Sequence, residues 1–183
     1  MAIPKRLLKK FEQQRVRFTV LAHRTVYTAY DLATTLGVEL AKVAKTLLVR
    51  ADNRYVLVAL PASTRLDFKK LAKLLKAKKI SIAPEAAVKR LKLAPGTTPP
   101  FGSLAKLEVA MEKGLLTAGD IIVRAGSLTE SLQMKAKDFV KMESPIVGSF
   151  GEKAKFGPKP GKNKIVTKKK VAPKKPAKRK ARS

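Results

Sequence analysis

The chain has 183 residues, enough for one domain plus an appendage, and a formal charge of +28, more than solubility requires and a pointer to a polyanionic partner. It has no cysteine and one histidine, His23; this excludes disulfides, thiolate metal sites and a histidine-based zinc centre, and it would force any Ser–His–Asp triad through that single residue. The opening MAIPKRLLKKFEQQ is charged and lacks the apolar stretch of a signal peptide, and no apolar run approaches the ~20 residues that span a bilayer, so a soluble, cytoplasmic protein with no membrane partner is expected.

Lys5–Arg15 places Leu7, Leu8 and Phe11 at helical spacing, with Pro4 at the first turn, and predicts a short amphipathic helix. Val16–Ala22 alternates loosely and is rich in β-formers, which predicts a strand. Thr28 then reads as a helix N-cap with Asp31 three residues on, Leu32, Ala33 and Leu36 as the apolar face, and Gly37 just past the end. Val38–Lys42 is a connection. Lys45–Ala51 and Arg54–Leu60 predict two strands joined at Asp52-Asn53 as a hairpin. Leu66–Lys76 reads as a helix with Leu71, Leu74 and Leu75 inward, Ile80–Ile82 as a short strand, and Pro84–Leu91 as a helix. Further on, Lys106–Met111, Asp120–Ala125 and Glu130–Met134 predict strands, with a turn at Gly126, and Lys135–Met142 a short helix. Strands interspersed with helices, at least one pair antiparallel, imply an α+β domain over residues 1–150 around a mixed, curled sheet surrounded by helices.

Two stretches stand out from this pattern. Leu93–Ser103 (LAPGTTPPFGS) holds Pro95, Pro99 and Pro100 with Gly96 and Gly102; it suits neither a helix nor a central strand. It reads either as an ordinary connection or as a stiff loop whose glycines let backbone N–H groups approach a ligand. Residues 151–183 are dominated by Lys, Pro, Ala and Gly. From Lys153 onward there are 14 Lys and Arg and no acid, so the remaining 27 basic residues face all 13 acids and the body alone carries +14. Too little apolar surface remains in this tail to offset ordering, which predicts disorder. Its Lys168, Lys169, Lys170, Lys174, Lys175, Lys178, Arg179 and Lys180 suit phosphate contacts without sequence readout, a nonspecific nucleic-acid role.

The order Thr28–Gly37, Ala44–Val49 (AKTLLV), Tyr55–Ala62, Leu66–Leu74, the glycine loop and Ile121–Met134 resembles the YbaK family, relatives of the editing domain of bacterial prolyl-tRNA synthetase, over roughly Leu21 to Phe150. The AKTL segment and the G-x-x-x-P-F-G loop carry the resemblance. It implies an aminoacyl-tRNA deacylase whose partner is the acceptor end of tRNA; no cofactor is implied, and nothing in the sequence suggests a metal. In the family the lysine of AKTL lies in the pocket and is needed for deacylation, which points to Lys45, a cation with three donors that would hold the oxygen-rich end of the substrate. By residue type alone Lys45 could equally be exposed at a sheet end. The resemblance also implies that backbone N–H groups at Gly96 orient the water and ester as an oxyanion hole, and that the terminal ribose hydroxyl assists, so that no side-chain base is required.

The same resemblance places Tyr27, Thr28, Thr46, Thr97, Thr98, Pro100, Phe101, Gly102, Gly126, Thr129 and Glu130 around the substrate. Relatives carry histidine near the Leu128 position or aspartate near Thr129 or Glu130, and Leu128 departs from the first pattern. Phe101 reads as a core plug or a pocket wall. His23 reads as structural or solvated, and Asp31, Asp67, Asp120 and Asp138 as caps and turns. The alternative is a non-catalytic RNA- or DNA-binding protein on the same fold; the presence of both Lys45 and the whole Gly96–Gly102 loop argues against it.

Overall fold

Local signals decide the first half of the chain in the computed structural model, which describes residues 3–94 and 96–153. Helix α1 (Lys5–Gln13) buries Leu7 and Phe11 and leads into strand β1 (Phe18–Ala22). Helix α2 (Ala29–Leu36) opens on a capping box: the Thr28 hydroxyl accepts the Asp31 N–H at 3.0 Å while the Asp31 carboxylate accepts the Thr28 N–H at 3.2 Å. It closes on Gly37 at φ 64°, the left-handed cap a glycine reaches without strain. Strands β2 (Ala44–Ala51) and β3 (Arg54–Pro61) pair antiparallel with Ala51 opposite Arg54, so Asp52-Asn53 is the hairpin turn.

Strand β4 (Thr64–Leu66) precedes α3 (Phe68–Leu75), which starts later than the leucine pattern suggests because Asp67 caps it, accepting the N–H groups of Lys69 and Lys70. Next come β5 (Ile80–Ile82), α4 (Glu85–Arg90) and a single 3-10 turn at Gly102–Leu104. The chain continues through β6 (Glu108–Glu112), α5 (Lys113–Thr117), β7 (Asp120–Arg124) and β8 (Glu130–Lys135). It finishes with α6 (Ala136–Glu143), β9 (Ile146–Gly148) and β10 (Gly151–Lys153). The short elements β4, α5, β9 and β10 go beyond the sequence expectation, since segments of three to five residues are too brief to show a period.

The mixed sheet has the order β5-β2-β3-β6-β9, with β3, β6 and β9 parallel and the β2 pairings antiparallel. A second, antiparallel sheet has the order β1-β8-β7, and β10 pairs with β4 in a two-stranded ribbon. The curl comes from one junction, a parallel bridge from Val43, just before β2, to Ile122 in β7. The two strands share only this bridge and then run on unpaired, so the sheets fold away from each other.

Three apolar clusters fill the interior. One joins α1, α4 and α6 to both large sheets, a second lies between α3 and β2–β3, and a third lies under α2 around Val43 and Ile122. In the first, Phe101 is 1% exposed, with ring centroids 5.6 Å from both Phe11 and Phe139. A short polar lock closes the same region: Lys10 pairs with the buried Glu143 carboxylate at 2.8 Å, and that carboxylate also accepts the Ser103 N–H and hydroxyl.

Among the described residues no helix is long and apolar enough to cross a membrane. The tail expected from residue 151 starts later: Gly151–Lys153 form strand β10, paired with β4 and tied to Glu112 through the Gly151 N–H, while residues 154–183, including Lys168, Lys169, Lys170, Lys174, Lys175, Lys178, Arg179 and Lys180, lie outside the described residues. Phe101→Ala empties a site walled by two other rings and should cost about 3–5 kcal/mol, read as a lowered midpoint in urea unfolding.

Candidate active site

Lys45 is the second residue of β2, opposite Leu60. Alternation along the strand puts it on the face of Val43, which packs under α2, and of Leu47 and Val49, which pack under α3. The lysine therefore occupies the gap between two helix-covered clusters. It is half-buried; its ammonium donates to the Thr64 carbonyl, and among the described residues it has no carboxylate partner. Burial, and next the charge of Arg65, push its pKa below the ordinary lysine value. Thr46 alternates to the opposite face, between Ala44 and Leu48 of the first cluster, and its hydroxyl is buried without a hydrogen-bond partner among the described residues.

The glycine loop is anchored elsewhere. Gly96 has φ 75°, and a Cβ there would sit 2.6 Å from the Tyr27 carbonyl oxygen, so the two backbones touch. Thr97 donates its N–H, and both Thr97 and Thr98 donate their hydroxyls, to the Ala94 carbonyl, while the Thr97 carbonyl accepts the Gly126 N–H at 3.1 Å. The loop is thereby stitched to the end of β7 on one side and pressed against Tyr27 on the other.

Arg124 completes this corner. Its buried guanidinium donates through Nη2 to the carbonyls of Val26 and Thr28, at 3.1 and 3.2 Å, and through Nη1 to that of Ser127 at 3.4 Å. Tyr27, 66% exposed, is thus held between two clamped carbonyls with its ring in solvent. The Ser127 hydroxyl accepts the N–H groups of Thr129 and Glu130, and His23 and Val26 donate their N–H groups to the carbonyls of Thr129 and Leu128. Burial foremost lowers the Arg124 pKa, partly offset by the charge of Asp31. Sequence reasoning missed Arg124; the available signal was a charge inside the apolar run IIVRAG.

The parallel bridge sets these two groups at one end of the seam between β2 and β7. Val43 lies beside Ile122 and both strands run the same way, so Lys45 and Arg124 each lie two residues beyond the bridge, on the side of their strands that Val43 and Ile122 occupy. The structure brings together Tyr27, Thr28, Gly96, Thr97, Thr98, Gly126, Thr129 and Glu130 at the Arg124 corner, with Lys45 across the seam. It sets others apart. Pro100 is buried, Phe101 lies in the first apolar cluster, and Gly102 is a packing glycine, because a Cβ there would meet the Leu107 carbonyl oxygen at 2.3 Å and Val109 at 2.5 Å.

His23 is tied at both nitrogens. Nδ1 lies 2.8 Å from the Arg24 carbonyl, which only accepts, so Nδ1 carries the proton and Nε2 accepts from the Ser131 hydroxyl at 2.9 Å. Burial foremost lowers its pKa below the ordinary 6.5. Among the described residues no group of three or more His, Asp or Glu side chains could hold a metal ion.

A family model, the aminoacyl-tRNA editing domain, matches residues 23–142. No curated protein matches the chain. Solved structures share the fold at low identity. The hypothetical protein APE2540 is 18% identical, with a TM-score of 0.73 over 81% of this chain and 100% of its own. A proposed trans-editing enzyme for prolyl-tRNA synthetase is 21% identical, with a TM-score of 0.69 over 81% of this chain and 96% of its own. A protein from Marinobacter aquaeolei VT8, described as a candidate for signal transduction, is 14% identical with a TM-score of 0.63, but only 31% of its length is covered.

Two outcomes follow from the geometry. Gly96→Ala should lower the unfolding midpoint by straining the positive φ and pushing the Tyr27 segment away, seen as shifted amide resonances for Val26–Thr28. His23 in the folded protein binds its proton only below the value the unfolded chain has, so stability should fall as pH drops through 6.5 and level off once the folded-state pKa is passed; His23→Gln should remove that slope in melting temperature against pH.

Proposed function

Because the chain belongs to the aminoacyl-tRNA editing domain family, we propose that it is a trans-editing hydrolase, binding an aminoacyl-tRNA that carries the wrong amino acid and cutting the ester between that amino acid and the terminal ribose. The observation that carries the reading is the state of Lys45: a half-buried ammonium in a gap between two helices, held by one main-chain carbonyl and balanced by no carboxylate among the described residues. A cation left unneutralised at a partly desolvated position is suited to an anionic or oxygen-rich ligand.

In the proposed reaction water adds to the ester carbonyl carbon and the bond to the ribose oxygen breaks. The proton lost by water ends on that oxygen, giving free amino acid and deacylated tRNA. The charge that develops on the carbonyl oxygen requires fixed donors. The Gly96 N–H suits this role, because Gly96 is exposed and its N–H makes no hydrogen bond to another described residue. Lys45 holds the oxygen-rich end of the substrate, and the ribose hydroxyl beside the ester assists the attacking water. Tyr27, Thr28, Thr97, Thr98, Gly126, Thr129 and Glu130 border the bound acceptor end. The basic body, +14 without the tail, supplies attraction for the tRNA backbone.

A cell has use for such a second hydrolytic check, because one methylene in a binding pocket discriminates by only about 1–3 kcal/mol. The test is hydrolysis of a panel of aminoacyl-tRNAs, including Ala-, Cys- and Ser-tRNA mischarged on several acceptors. One amino acid should be released, and Lys45→Ala should slow that release about 100-fold or more with an unchanged circular dichroism spectrum. An active Lys45→Ala protein would overturn the site, and tight tRNA binding without release of any amino acid would overturn the reaction.

A further inference from the structure

Helix α3 lies over the sheet face that holds Lys45. Leu47 and Val49, on the Lys45 side of β2, pack with Leu71, Leu74 and Leu75 of the helix. The helix begins shortly after Thr64, whose carbonyl accepts the Lys45 ammonium. It ends by the β2–β3 hairpin, where Arg54 donates to the Leu75 carbonyl at 2.8 Å and the Asp52 carboxylate accepts the N–H groups of Lys78 and Lys79 at 3.1 and 2.8 Å. Helix α3 therefore runs from the Lys45 end of β2 toward its far end.

Its inner face is leucine and its outer face lysine. Lys69 and Lys73 lie one turn apart on the side away from the buried Leu71 and Leu75, and Lys76 follows at the C-cap, so the three span roughly 10 Å of surface. All three are exposed, and none has an ion pair among the described residues. Acids on the segments beside them are engaged elsewhere: Lys70 pairs with Asp67 at 3.4 Å and with Glu152 at 4.0 Å, and main-chain N–H groups hold Asp52 in its turn. From Phe68 to Pro84 the chain has six lysines and no acid. The two helices flanking the Lys45 gap thus offer unequal surfaces, since α2 has no lysine or arginine and carries Asp31 in its first turn.

We propose that the outer face of α3, carrying Lys69, Lys73 and Lys76, is the surface along which the phosphate backbone of an RNA lies when its 3′ end occupies the Lys45 site. This rests on the editing reading above and adds to it the direction in which the RNA leaves the site, over α3 and away from α2. Flexible lysine stems let each ammonium follow the strand, and each phosphate neutralised releases counterions. Such contacts carry no sequence information; they fix where the strand lies. Helix α6 has two exposed lysines at the same spacing, Lys137 and Lys141, but shares them with Asp138 and Glu143. It packs in the cluster of Ala44 and Leu48, on the other face of β2 from Lys45.

The experiment is fluorescence anisotropy with full-length protein and uncharged tRNA across a salt series. Lys69→Gln/Lys73→Gln keeps helix-forming side chains at exposed positions, so the circular dichroism spectrum should not change. It should weaken binding about ten-fold near 0.1 M salt and make the plot of log affinity against log salt shallower by about two. The charge-matched control is Lys137→Gln/Lys141→Gln on α6, which should leave affinity and slope close to those of the unaltered protein. With tRNA whose single-stranded 3′ end has been removed, so that no end is offered to Lys45, the difference between the two variants should disappear. An unchanged slope in the α3 variant, an equal loss in the α6 control, or a difference that survives removal of the 3′ end would each overturn the proposal. Because the readout is binding, these outcomes are separate from the deacylation assay. A protein that hydrolyses aminoacyl-tRNA with an unaltered α3 slope removes the RNA surface alone, and one with the expected slopes but no hydrolysis removes the reaction alone.

Discussion

A buried guanidinium needs acceptors for its N–H groups, and the way Arg124 finds them organises the corner around it. Its partners are three backbone carbonyls, from the segment before α2 and the turn after β7. Carbonyls cannot cancel its charge, so the arginine acts as a clasp while leaving the corner electropositive. With the Val26 and Thr28 carbonyls fixed, the intervening Tyr27 carbonyl has one place to be, and the Gly96 loop packs directly onto it. The glycine loop is therefore positioned by main-chain contact, and the only side chain tolerated at its apex is none.

Lys45 across the seam follows the same pattern. Both cations are held by carbonyls, and both have pKa values depressed first by burial. Elsewhere the fold uses carboxylates to settle such accounts, as Glu143 does for Lys10 and Asp120 for Lys135. At the seam Lys45 and Arg124 have no ion pair of this kind among the described residues. That arrangement costs stability and favours an anionic visitor, the trade expected where binding takes precedence over packing.

The parts legible in the sequence were those specified by neighbours. The Thr28–Asp31 box, the Gly37 cap and the Asp52-Asn53 turn each involve residues within a few positions, and each formed where the chemistry of those residues required. The β4–β10 ribbon left no such trace, because three-residue strands acquire meaning only from partners far along the chain. The candidate site divides in the same way. The AKTL and glycine-loop segments could be read as motifs, but that Thr46 turns away from Lys45 is a property of strand register, and that Phe101 plugs the core depends on Phe11 and Phe139 meeting it from two distant helices. Arg124 was unreadable as a clasp, since its acceptors are carbonyls that every residue possesses.

The strand pairings also set when the site can exist. Phe18 lies opposite Met134 in β1–β8, and Leu66 opposite Gly151 in β4–β10, so both edges of the seam are closed by segments from the far end of the sequence. Contacts of such long sequence separation form slowly and late, after the loop entropy between them has been overcome. A chain emerging from the ribosome accordingly has its hairpin and capped helices long before it has a seam. The residue whose carbonyl seats Lys45 gains its strand partner only through β10, so the site is complete only once β4 and β10 have paired.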